Sequence, residues 1–153
     1  MGADKRQIKT GHLKKQLDLA EKAAAVLNFS YNSTDHLFPL PEDISDEELV
    51  HLDAVTSRFA RLVDILTQKV FRAIDSVELT DEGSLIDRLN RAEGRGIIES
   101  AEDWRNIREL RNQIAHEYVL DDLHSLFEDV IQFTPPVLKC IDNIKVYLKN
   151  VIF

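Results

Sequence analysis

Apolar residues recur at steps of three and four along almost the whole chain, the period of a helix with one buried face. From about Lys5 to Tyr31 the stripe is Ile8, Leu13, Leu17, Ala20, Ala24, Leu27 and Tyr31. The run Ala23-Ala24-Ala25 adds high helix propensity and permits close helix packing. A loop is expected over Asn28 to Pro41, because Pro39 and Pro41 block helix continuation. The second helix starts at Ser45-x-x-Glu48, a capping-box pattern, with Asp46 and Glu47 favouring the positive helix end. Leu52, Val55, Phe59, Leu62, Leu66, Val70 and Ile74 mark its inner face. A shorter third helix follows Thr80-Asp81-Glu82, carries Leu85, Ile86 and Leu89, and stops near Glu93-Gly94-Arg95-Gly96. The fourth starts near Ser100, capped with Asp103, and runs to about Val119. The fifth begins at Asp121-Asp122, with a stripe from Leu123 through Phe127, Val130, Val137, Ile141 and Ile144 to Leu148. Pro135-Pro136 inside this run predicts a kink or a break. No strand pattern competes. The expected fold is all-α: one domain over residues 1–153, an antiparallel bundle of four to five helices with long first, second and last helices.

Composition narrows the classes. Hydrophobic residues make up 44% of the 153 positions and charged residues 30%, a globular balance that excludes a disordered acidic tail. No apolar run is long enough for a membrane span, so no membrane partner is expected. Cys140 is the one cysteine and cannot form an intrachain disulfide, which fits a reducing, cytoplasmic setting. Met1 to Arg6 is polar and lacks the apolar core of a signal peptide. The net charge of −8 argues against a generally basic nucleic-acid binder. The local count reads differently. Six of the ten arginines (Arg88, Arg91, Arg95, Arg105, Arg108 and Arg111) fall within residues 88–111, against five acids. Two readings stay open: a solvated surface with Glu93, Glu99, Glu102, Asp103 and Glu109 interleaved, or a cleft toward which some of these arginines face.

The segment from Trp104 to Tyr118 carries the candidate chemistry. Arg105, Arg108 and Arg111 recur every third residue as a cationic strip, and Asn112 and His116 are neighbours four apart. Arg111 and His116 are five apart, about 140° around the helix and roughly 7.5 Å along it. Arginine binds phosphate oxygens bidentately and keeps its charge, while histidine titrates near neutrality and can accept and return a proton. Such a pair can cleave RNA without a metal: the ribose 2′-OH attacks its own phosphate, histidine moves protons, and arginine stabilises the developing charge. The bland alternative is an ordinary solvated helix face.

The string Arg111-Asn112-Gln113-Ile114-Ala115-His116-Glu117-Tyr118 resembles the R-x4-H-x-Y motif of HEPN-domain proteins, and among them the HepT-like toxins. The helical pattern fits that fold, and Thr56 to Asp64 looks like the corresponding family helix. The resemblance implies an endoribonuclease that uses no metal or other cofactor, acts on RNA such as tRNA, and forms a homodimer with the two motif helices lining a shared cleft. It implies a partner, a small MntA-like nucleotidyltransferase antitoxin, which uses ATP and Mg to transfer AMP onto the motif tyrosine. By this resemblance Arg111 binds phosphate, His116 is the general acid/base, Asn112 supports them and Tyr118 accepts AMP. Arg105 and Arg108 are candidates for RNA contact. A reading from another class stands beside this one: a non-catalytic helical subunit that binds the nucleotidyltransferase or presents its substrate.

The remaining residues carry blander expectations. Asp64 and Asp75 are expected at the surface, with a contact to the active-site network as the sharper alternative. His12, His36, His51 and His124 show no metal-ligand spacing, and Cys140 lacks a partner for zinc. Cys140 is expected as an inert buried thiol. Trp104 is expected as a packing anchor, with base stacking as the alternative.

Overall fold

The computed structural model describes residues 2–116 and 122–153. Helix α1 spans Gly2–Thr34 and is followed by a single 3-10 turn, Asp35–Leu37. Helix α2, Asp46–Ile65, passes through a π-helical turn, Leu66–Val70, directly into α3, Phe71–Val77. Helices α4, Leu85–Gly94, and α5, Ala101–Ala115, come next. Helix α6, Leu123–Tyr147, ends in a second π turn, Leu148–Ile152. No strand occurs among the described residues.

Polar contacts set the directions. Lys9 near the start of α1 donates to the Ser76 carbonyl at the end of α3. Arg58 on α2 donates to Val26 and Ser30, late in α1. Helix α1 therefore runs antiparallel to the α2–α3 rod. Lys145 of α6 pairs with Glu21, and Lys14 sits over the Phe153 ring, so α6 is also antiparallel to α1. The core fills the space between these rods, with Leu13, Leu27, Phe59, Leu62, Leu66, Ile74, Ile107 and Ile144 wholly buried. Trp104 is the packing anchor expected of it, 2% exposed with its ring 5.5 Å from Phe71. Burial likewise holds Cys140, whose thiol is pushed far above its ordinary pKa by desolvation.

Several local expectations are corrected. Helix α1 continues past Asn28, because its polar end bonds back into the helix: Ser33 and Thr34 donate to the Phe29 and Ser30 carbonyls. Ile8, placed on the inner stripe, is exposed. Helix α4 follows Thr80 to Glu82 as expected and is capped by Ser84, with Asp87 completing the box. Gly83 makes this possible with a φ of 99°, in the left-handed region. Helix α5 ends at Ala115; its expected extension to Val119 lies outside the described residues.

Helix α6 does not break at Pro135-Pro136. Both prolines are on the exposed side, where the carbonyls one turn earlier can tilt toward water, while Thr134 and Val137 stay buried on the core side. No helix of the described residues is long and apolar enough to cross a membrane.

Candidate functional site

The site is built where α5 crosses α2. Ser100 starts α5 by accepting the Asp103 backbone N–H, and Glu93 accepts that of Ala101. Trp104, Ile107 and Leu110 form the buried face of α5. That orientation puts Arg108 and Arg111, one turn apart, on its flank toward α2. There they meet one carboxylate. Arg111 donates to Asp64 from Nε at 2.5 Å and from Nη2 at 2.7 Å, and Arg108 adds a bond at 3.1 Å. The hydrogen bond to Asp64 is the main cause that raises the Arg111 pKa above its ordinary value. Arg108 Nε is buried without a hydrogen-bond partner among the described residues.

An open groove of ≈ 650 Å³ lies over this cluster, lined by Ser57, Arg61, Asp64, Ile65, Gln68, Lys69, Arg108 and Arg111. A smaller hollow of ≈ 260 Å³ continues from Arg111 along α5 past Thr56, Ile114 and Ala115. Its buried Thr56 hydroxyl has no partner among the described residues, and burial raises the pKa of Asp53 at its edge. His116 follows as the cap of α5, exposed, with its backbone N–H on the Asn112 carbonyl at 3.0 Å.

The proposed residues are thus divided. Arg108 and Arg111 converge. Asn112 is half-buried beside them, and its side chain makes no hydrogen bond among the described residues. His116 sits at the cap of the same helix, five residues beyond Arg111. Arg105 is exposed and takes part in no ion pair among the described residues. Tyr118 lies outside the described residues.

The arginine-rich stretch divides: Arg108 and Arg111 face an open groove, while others are used inside the fold. Arg91 and Arg95 bind Asp75 at 2.9 and 2.5 Å, and Arg88 is buried against the Thr67 carbonyl. Asp75 is 1% exposed, which corrects its placement at the surface. Asp64 is partly exposed but tied to two arginines, so it too is more than a solvated carboxylate.

Sequence reasoning missed Ser57, Arg61, Gln68 and Lys69 as groove residues. Their signal was present: together with Asp64 they form a polar stripe at helical steps, opposite Phe59, Leu62, Leu66 and Val70. Among the described residues, no group of three or more His, Cys, Asp or Glu is placed to hold a metal ion. The chain matches no protein-family model, and no curated protein matches its sequence.

Proposed function

We propose that the chain is a HEPN-type endoribonuclease of the HepT-like toxin class, cutting RNA, with tRNA as the expected target, without a metal. The observation that carries this reading is the convergence of Arg108 and Arg111 at an open groove, with His116 exposed at the cap of the same helix, five residues beyond Arg111. Two guanidiniums supply fixed positive charge for a phosphodiester, and the imidazole supplies the proton transfer.

In this scheme the ribose 2′-OH attacks the adjacent phosphorus. His116 removes the 2′-OH proton, and the 5′-oxygen leaves, taking a proton in turn. Arg111 compensates charge on the non-bridging oxygens. The products are a 2′,3′-cyclic phosphate and a 5′-OH.

Silencing belongs to the same reading. An AMP on Tyr118, two residues beyond His116 in the sequence, would add a phosphodiester charge and a bulky nucleotide. The donor is a nucleotidyltransferase partner that uses ATP and Mg. A homodimer would place two such helices side by side.

The test is cleavage of total tRNA in EDTA by the native chain, His116→Ala and Arg111→Ala. Cleavage by the native chain alone supports the nuclease. No cleavage, or equal cleavage by all three, favours the non-catalytic subunit. Tyr118→Phe should still cleave RNA but gain no AMP from the partner, as read by intact mass.

A further inference from the structure

A second groove, of ≈ 490 Å³, opens on the other side of the π turn, between α1, α3 and α4. Gln68 and Lys69 line both grooves, so the two adjoin along the same rod. None of residues 111–116 reaches the second one.

Its chemistry is unbalanced. Arg88 is 8% exposed and takes part in no ion pair among the described residues; its one bond there is to the Thr67 carbonyl at 3.1 Å. Burial, and then the neighbouring charge of Arg72, push the Arg88 pKa below its ordinary value. Asp75 makes no hydrogen bond to Arg88, its two oxygens accepting from Arg91 and Arg95, and its charge offsets the burial of Arg88 only in part. Asp81 is the other carboxylate lining the groove, and it lies at the exposed rim. On the α1 side, Gln16 Oε1 is buried without a hydrogen-bond partner among the described residues.

A buried guanidinium with no carboxylate bonded to it leaves a desolvated charge only partly compensated. An orphaned amide end is a second unmet demand. A phosphate answers both. Its oxygens accept from Arg72 and Arg88, and the Gln16 amide can turn its N–H₂ inward to donate as well.

We propose that this groove is a phosphate-binding subsite for the RNA strand, with Arg72 and Arg88 holding a phosphodiester and Lys69 bridging to the groove at Arg111. Naming RNA as the source rests on the endoribonuclease reading; the phosphate chemistry does not. Asp64 and Arg72 are eight residues apart on one rod, about 12 Å, so a single strand can occupy both grooves.

The test uses a fluorescent single-stranded RNA and a His116→Ala background that cannot cut it. Arg72→Gln alters an exposed side chain and should leave the fold intact. Arg88→Gln is the second variant, its fold checked by circular dichroism. Anisotropy should show RNA affinity lower by about tenfold, with the salt slope shallower by about 0.7 for each phosphate that the variant no longer neutralises. Inorganic phosphate and AMP are titrated in parallel by calorimetry. Loss of phosphate or AMP binding in Arg72→Gln with unchanged RNA affinity supports the phosphate site and assigns it to a free phosphate. Unchanged affinity of Arg72→Gln for all three overturns the proposal. Failure of the nuclease reading is read separately, as intact RNA after incubation with the native chain.

Discussion

Asp64 holds Arg111 through both carboxylate oxygens, at 2.5 and 2.7 Å, and binds Arg108 with one of them. The pairing uses the Nε and Nη2 edge of the Arg111 guanidinium. The Nη1 edge makes no hydrogen bond among the described residues and is the part that remains for a phosphate. On the endoribonuclease reading, Asp64 is a positioning residue: it would aim an arginine and, by its own charge, oppose the RNA. Asp64→Ala should separate these effects. RNA affinity should hold or rise, since one negative charge leaves the groove. The single-turnover cleavage rate should fall by about tenfold or more, because misaimed groups lose much of their catalytic effect. A weaker RNA affinity with an unchanged rate would exclude the positioning role.

Asp75 is a counterpart with a different duty. It is buried at the end of the α2–α3 rod and ties α4 to it through Arg91 and Arg95, while Arg95 also reaches Thr80 and Glu78. The Tyr147 hydroxyl of α6 donates to Glu78, which joins a third element to the cluster. Removing the carboxylate leaves two part-buried guanidiniums without their partner, which typically costs about 3 kcal/mol or more. Asp75→Asn should therefore unfold at a clearly lower urea concentration with an unchanged m-value. A midpoint within error of the native chain would show that the cluster contributes no net stability.

The helix caps should contribute to the loss of stability in acid. The side-chain and backbone hydrogen bonds of Ser45 hold the Glu48 carboxyl below its ordinary value of 4.5. Those of Ser84 hold Asp87 below 3.8, the backbone bond being the larger cause. A lowered folded-state pKa stabilises above the unfolded value, and that contribution is lost as pH falls through the folded value. Stability should thus decline with acid below about pH 4.5. Glu48→Gln combined with Asp87→Asn should flatten this decline in thermal melts recorded across that range. An unchanged slope would mean that the caps do not contribute to the pH dependence.

Much of the fold was legible because two signals agree along the chain. The period of Leu52, Val55, Phe59 and Leu62 marks the inner face of α2, and Ser45 and Ser100 mark true helix starts. The failures share a cause. Asn28 to Thr34 is polar and reads as loop, yet tertiary contact from Arg58 and back-bonding by its hydroxyls keep it helical. The proline pair reads as a break, yet its burial pattern keeps α6 continuous.

The candidate site was legible only in part. Arg108, Arg111 and His116 are visible from helical spacing. That Arg91 and Arg95 turn to Asp75 while Arg108 and Arg111 turn to Asp64 depends on which helices cross, and no local pattern encodes that. Net charge was the least informative measure: a chain at −8 gathers arginines over two grooves and satisfies several of them internally.

The most direct measurement is the chemistry of the cut ends. RNA is incubated in EDTA with the native chain or with His116→Ala, and the fragments are analysed by mass spectrometry. Transfer through the 2′-OH at Arg111 and His116 requires 2′,3′-cyclic phosphate and 5′-OH ends from the native chain and none from His116→Ala. Intact RNA from the native chain, fragments bearing 5′-phosphates, or the same ends from both proteins would contradict that assignment.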